Sequence, residues 1–306
     1  MPAPNNQTIS YLSRRLSETG VDLRKRLGQN FLVDQNLVRL IATRAELTPD
    51  DVVLEVGTGT GSLTALVAPQ VAAVVTVEID ARLFQLASEE LGGCTNVVML
   101  QQDALRNKSH FEPGVIEAVG EQLAVDSRRR LKLVANLPYS VATPVIANLL
   151  SSPIVPTTMT VTIQKELADR IAAKPCTKDY GALSVWIQSQ CRVELVRTLP
   201  PSVFWPQPKV NSAIVHITVD EALRQRIADL DFFHSFVRSL FLHRRKFLRG
   251  VLLGSWKATL GKEGVDQVLD RVGLDPKCRA EQLEVEAILR LCDATAQALK
   301  HLTAQD

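Results

Sequence analysis

Two periodicities divide the chain. From residue 51 to about 164, short runs rich in β-branched residues recur as DVVLEV (51–56), VAAVVTVE (71–78), NVVML (96–100), LKLVAN (131–136) and TTMTVTI (157–163). Stretches with apolar residues at helical spacing separate them, and that alternation predicts βαβ units and a parallel sheet. Two further runs, CRVELVRTL (191–199) and SAIVHITV (212–219), are joined by a Pro-rich connection with no helix between them. They predict an antiparallel hairpin at one edge and bring the count to seven strands. From about Asp220 the strand signal stops, and FHSFVRSLF and EVEAILRLCDATAQAL show helical spacing. The expected fold class is therefore α/β, a seven-stranded mostly parallel sheet with one antiparallel edge strand, plus a small all-α C-terminal domain.

Before residue 51 the pattern predicts helices over 8–19 and 34–46, the second capped by Asp34, with the basic stretch RKRLGQNFL between them. The expected division is an N-terminal helix and basic segment over 1–33, a sheet domain over 34–220 and a helical domain over 221–306. The span from Asp103 to Asn136 exceeds an ordinary loop plus helix, so residues 108–130 read as a surface elaboration.

Composition narrows the class. With 306 residues, 46% of them hydrophobic and 22% charged, the chain is globular and large enough for two domains. No apolar run reaches the roughly 20 residues that span a bilayer, and MPAPNNQTIS lacks the apolar segment of a secretory signal, so a soluble, cytoplasmic protein is expected. The five cysteines lie far apart without a CxxC pair, which predicts reduced packing residues and no metal site. A net charge of +2 says almost nothing about nucleic acid, so any basic binding face must be local.

The chemistry is concentrated where strands end. LEVGTGTGSLT runs from a strand through Gly57, Gly59 and Gly61 into a helix, a turn that lets the backbone approach a ligand. A dinucleotide fingerprint would need glycine at position 62, where serine stands, so the spacing is GxGxG and an NAD-dependent oxidoreductase is disfavoured. Glu78 closes the second strand, where a carboxylate can accept from both hydroxyls of a ribose. Asp103 follows the third, placed to accept from an exocyclic adenine amine. The fourth ends in Asn136-Leu137-Pro138-Tyr139. The Asn136 side-chain carbonyl and the Leu137 backbone carbonyl are two acceptors for the N–H groups of an adenine amine, Pro138 fixes the turn, and Tyr139 offers a face for a flipped-out base.

These segments, with QKELADRIAAKPCTKDYGALSV, VFWPQPKVNSAIVHI, HRRKFLRG and RAEQLEVEAI, occur in the order of the small-subunit (16S) ribosomal RNA adenine N6,N6-dimethyltransferases, which the chain resembles from about Arg24 to Leu291. The resemblance implies a Rossmann-like domain that uses S-adenosyl-L-methionine, with no metal. It implies a helical RNA-binding domain and dimethylation of two adjacent adenines in a hairpin near the 3′ end of the small-subunit RNA. The implied partner is that RNA in a pre-30S particle, met by a monomer.

By position, Asn30 and Leu32 would close over the cofactor and Gly57, Gly59 and Gly61 would contact its methionine part. Glu78 would hold the ribose, Asp103 the adenine amine, and Asn136 would stand between donor and target. Tyr139 would stack on the target base and Phe204 would wall its pocket, unless Phe204 is only a core residue of the Pro-rich loop. Departures from the family pattern are Trp205, Asn211 where Asp is usual, Cys176 where Gly is frequent, and the length of 108–130.

For RNA contact, Arg238, Arg244, Arg245, Lys246 and Arg249 form a run without an acidic residue, and Arg14, Arg15, Arg24, Lys25 and Arg26 add a second cluster. Two rival functions stand beside the main reading. One is an assembly factor that works by binding RNA, and the other is a methyltransferase of the large-subunit RNA.

Overall fold

A computed structural model of the chain describes residues 30–303. The helix expected over 8–19 and the cluster Arg14, Arg15, Arg24, Lys25 and Arg26 lie outside these residues. The main sheet has seven strands: β1 (Asp51–Val56), β2 (Ala73–Glu78), β3 (Val97–Gln101), β4 (Arg130–Asn136), β5 (Thr158–Gln164), β6 (Cys191–Leu199) and β7 (Ser212–Val219). Their order across the sheet is β3-β2-β1-β4-β5-β7-β6. The first five pair in parallel, and β7 runs antiparallel to β5. The antiparallel strand thus sits one place in from the edge, with β6 outside it. β1 and β2 are buried at every position, as strands covered by helices on both faces must be.

Helix Gln35–Arg44 starts where the sequence puts it, with the Asp34 side chain accepting from the Asn36 N–H. Its Leu37, Val38 and Ile41 join Leu63, Val67, Val53, Val74 and Val134 in one core cluster. At the foot of the sheet, buried Lys132 meets Asp51 at 3.0 Å and donates to the carbonyls of Ala45 and Glu46, tying β1 and β4 together.

Two expectations are corrected here. Residues 108–130 are not a surface elaboration: they contain helix Pro113–Ala124, whose Val115, Ala118 and Val119 are buried and pack it on β1, β2 and β4. Glycine and alanine in that helix mute its apolar signal. Cys176 is not a packing residue either, being exposed on a turn at φ 65°, a left-handed conformation that glycine adopts without strain.

The chain forms two compact units, and the boundary is crossed more than once. One unit runs to Ala168 and resumes over Val193–Thr218, while the other joins Asp169–Arg192 to the residues from Val219 onward. The expected single break at 220 misses the segment Asp169–Arg192, which packs with the helices: Trp186 lies against Phe233, and the Tyr180 hydroxyl donates to the Leu283 carbonyl. In this second unit, helix Leu230–Leu242 precedes Leu248–Val272, broken at Gly261 (φ 70°, ψ −175°), and Val285–Thr303.

Candidate active site

The carboxyl ends of β1, β2 and β4 and the loop after β3 open onto one cleft. Its lining includes Asn30, Leu32, Gly57, Gly59, Glu78, Asp103, Asn136, Leu137, Pro138 and Tyr139, so residues scattered over 110 positions of sequence meet in one place. Gly61 is the exception among the candidate glycines. It caps helix Ser62–Val67 in the left-handed conformation, beside Leu91, and shapes the loop from behind.

The glycine turn is held from two sides. The Gly57 N–H donates to the Val77 carbonyl at 2.8 Å and the Gly59 N–H donates to the Glu78 carboxylate at 2.9 Å. A Cβ on Gly57 would stand 3.1 Å from the Pro138 ring, so the turn after β1 and the turn after β4 approach to a distance that only glycine permits.

Glu78 is 4% exposed. One carboxylate oxygen takes the Gly59 N–H and the other takes the Asp80 N–H at 3.0 Å. Burial pushes its pKa up, against these hydrogen bonds. A carboxylate has about four lone-pair sites, so acceptor capacity remains for hydroxyl donors. Asp103 turns one oxygen to the Leu105 N–H at 2.9 Å, while Gln102, beside it in the lining, carries a buried amide nitrogen with no partner. Two carboxylates with spare acceptor capacity above a glycine turn fit the hydroxyls and amine of a nucleoside carrying an amino acid, which is what S-adenosylmethionine is.

The turn after β4 is equally constrained. The Asn136 amide donates to the Asn30 carbonyl at 2.9 Å, leaving its own carbonyl as a free acceptor. The Leu137 N–H donates to the Thr162 carbonyl, and the Pro138 carbonyl accepts from Val141 and Ala142 at the start of helix Ala142–Leu149. The Tyr139 hydroxyl meets the Ser212 hydroxyl at 2.6 Å. Asn30 reaches this place through a two-stranded strap, in which Phe31 and Leu32 pair with Trp205 and Phe204.

The family model described as "Ribosomal RNA adenine dimethylase" matches residues 20–297. This chain belongs to the ribosomal RNA adenine dimethylase family. Among its relatives, "Ribosomal RNA small subunit methyltransferase A" of Geobacillus thermodenitrificans is 39% identical over 91% of this chain and 93% of its own. The protein of that name from Halothermothrix orenii is 40% identical over 86% and 85%. A solved dimethyladenosine transferase from Plasmodium falciparum shares the fold at a TM-score of 0.72, with 23% identity over 86% of this chain and 96% of that one. The 23S rRNA methyltransferase ErmE superposes with a TM-score of 0.59 at 26% identity, covering 88% of this chain and all of its own.

As a dimethylase family member the chain is an rRNA methyltransferase whose methyl donor is S-adenosylmethionine. Among the described residues, no helix is long and apolar enough to cross a membrane and no group of three or more His, Cys, Asp or Glu is placed to hold a metal.

Besides Gly61, Phe204 lies outside the cleft, and two side chains of the basic run are engaged within the protein. Phe204 is 1% exposed and packs in the core with Leu32, Ile41 and Leu199, outside the cleft lining, because its strap strand turns it inward. Trp205, on the opposite side of that strand, packs on Phe31, Leu83 and Leu86, which gives this departure a structural role. In the basic run, the Arg244 guanidinium is taken up by Glu281 and by the carbonyls of Thr177 and Lys178, and Arg249 makes a paired contact with Asp266. Both charges are ion-paired at the surface of the helical unit. Arg238, Arg245 and Lys246 remain exposed.

Glu55 and Ser212 escaped the sequence reading. A carboxylate within an otherwise apolar strand was the available signal for Glu55, which lines the cleft beneath the glycine turn. Thr64 and Thr76 both donate to it, so Thr58, 2.6 Å from Thr76, must donate in turn to the Thr76 oxygen. Burial lifts this carboxyl from 4.5 to about 7, with the charge of Glu78 adding to the lift and the two hydroxyls opposing it.

A carboxyl raised on folding keeps its full stability contribution below about 4.5 and loses it as pH rises through about 7. A shift of that size corresponds to something on the order of 3 kcal/mol. The unfolding free energy of a Glu55→Gln variant relative to the parent should therefore increase across this window, as read by denaturant titration. A difference that stays constant with pH would refute the assignment.

Proposed function

We propose that this protein dimethylates N6 of two adjacent adenines in a hairpin near the 3′ end of 16S ribosomal RNA. It acts as a cytoplasmic monomer on a pre-30S particle. The observation that carries this reading is the turn Asn136–Tyr139, which leaves an acceptor and an aromatic face free at the rim of a cleft suited to S-adenosylmethionine. The relatives named as small-subunit methyltransferases support the choice of RNA.

In this mechanism S-adenosylmethionine supplies an electrophilic methyl group on a positively charged sulfur. Glu78 would hold the ribose hydroxyls and Asp103 the adenine amine of the cofactor. The Asn30 segment, tied to Asn136, would cover the methionine side. Tyr139 receives the flipped target base on its ring, held in place by Ser212. The Asn136 side-chain carbonyl and the Leu137 carbonyl accept the N–H groups of the target amine, drawing its lone pair out of conjugation and toward the donor. The amine so held would be the nucleophile toward that methyl group, the carbon–sulfur bond giving way to it, and would release its proton to solvent. Asn136 cannot take that proton, and no strong base is needed, because the amine turns acidic only as it is alkylated. Positioning and exclusion of water do the catalytic work.

The test is to incubate unmethylated small ribosomal subunits with the protein and isotopically labelled S-adenosylmethionine, then to analyse the nucleosides by mass spectrometry. Labelled N6,N6-dimethyladenosine in 16S RNA is the expected product. Transfer to large subunits offered in a parallel reaction but not to the small subunits, or cofactor binding without any transfer, would overturn the reading.

A further inference from the structure

The turn from Leu242 to Phe247 in the helical unit is fastened by hydrogen bonds and unusual in what it exposes. Arg244 pins it from within through Glu281 and the carbonyls of Thr177 and Lys178, and the Lys246 N–H closes it on the His243 carbonyl at 2.9 Å. The next helix is anchored at once by the Leu248 N–H on the Cys278 carbonyl and by Arg249 on Asp266. On this fixed frame Leu242 is 74% exposed and Phe247 53% exposed. Between them stand Arg245 and Lys246, exposed and making no side-chain ion pair among the described residues, with Arg238 one helical turn before Leu242.

Phe247 occupies the N-cap of helix Leu248–Val272, with extended backbone (φ −64°, ψ 150°) and no capping hydrogen bond from its side chain. Stability favours Ser, Thr, Asp or Asn at such a position. A phenyl ring there neither caps the helix nor packs in a core. Fold stability therefore does not account for it, whereas a ligand would.

We propose that Phe247 is a stacking platform for an unpaired base of single-stranded RNA, with Arg245 and Lys246 binding the flanking phosphates. A ring between two cations and a helix start matches a nucleotide, whose base offers a π face and whose neighbours carry one negative charge each. Duplex RNA offers no such face, because its bases are already stacked. Two apolar side chains on a tight turn form no amphipathic face, which disfavours a lipid surface. The proposal rests on the rRNA-methyltransferase reading for its choice of RNA and adds to it the single-stranded state of the RNA and the residue that reads it.

The experiment uses the full chain and a labelled, short, adenine-rich single-stranded RNA, with a duplex of equal charge and anionic phospholipid vesicles as comparisons. Stacking on an aromatic residue is worth about 1–3 kcal/mol per base, so Phe247→Ala should weaken single-strand binding by about five- to 150-fold. The dependence of affinity on salt should stay the same, because no phosphate contact is lost, whereas Arg245→Ala should lower that dependence. Phe247→Trp should retain affinity and show quenched indole emission on binding.

Equal single-strand binding by Phe247→Ala and the parent would overturn the proposal, as would Phe247→Leu binding as well as the parent. Loss of vesicle binding with RNA binding intact would also overturn it. Methyl transfer to small subunits, measured on the same preparations, keeps the two readings apart. A parent that transfers methyl groups while Phe247→Ala binds RNA normally sinks only the stacking platform, and a parent that neither transfers nor binds sinks both.

Discussion

Replacing Asn136 by alanine should lower the rate of methyl transfer by roughly a hundred- to a thousandfold, the loss that removal of one preorganised polar group from a charge-developing centre brings. The substitution deletes the side-chain carbonyl that accepts from the target amine, leaving the Leu137 carbonyl to accept alone. It also deletes the bond to the Asn30 carbonyl, so cofactor affinity should fall, though by no more than about tenfold, since one hydrogen bond contributes about 0.5–1.5 kcal/mol. Single-turnover transfer and calorimetric titration of S-adenosylmethionine separate the two effects. A variant that keeps parental turnover would show that the amine is held by something other than this turn.

Gly57→Ala should damage binding and turnover together. The residue sits at φ 87°, where an L-residue carries a penalty of about 1–2 kcal/mol, and its new Cβ would lie 3.1 Å from Cγ and Cδ of Pro138. That ring is the least yielding neighbour available, because Pro138 is itself fixed by the hydrogen bonds its carbonyl accepts. Either the glycine turn or the Asn136–Tyr139 turn must move by a few tenths of an ångström. Displacements approaching 1 Å cost enzymes about a hundredfold in rate. Gly93→Ala is the matched control, since nothing lies within 4 Å of its Cβ position and its backbone is not left-handed. The pair should differ in cofactor affinity by at least tenfold, and parental affinity in Gly57→Ala would refute the contact as a constraint.

Both predictions rest on residues that were legible without coordinates, because strand-end positions follow from local alternation. The runs 51–56, 191–199 and 212–219 fold as strands with those bounds, and Glu78 and Asn136 fall at strand ends as expected. Parallel βαβ topology then carries such ends to one edge of the sheet, so a local signal suffices to gather Gly57, Glu78, Asp103 and Asn136. Helix Pro113–Ala124 was missed for a local reason as well, its glycines and alanines blurring the apolar stripe.

Other features depend on partners far away along the chain. Phe204 and Trp205 are adjacent aromatic residues that pairing with Leu32 and Phe31 turns to opposite sides of a strap, into two separate clusters. Arg244 and Arg245 are adjacent cations, and only the arrival of Glu281 and the carbonyls of Thr177 and Lys178 spends the first while leaving the second exposed. Ser212 lies 73 positions from Tyr139 and becomes its partner because β7 inserts between β5 and β6. The sequence by itself determined the elements, the class of chemistry and the strand ends that bear it, since these follow from spacing of a few residues. The tertiary structure decided which aromatic is buried, which cations are free and which hydroxyl holds Tyr139, since each turns on a partner brought in by long-range packing.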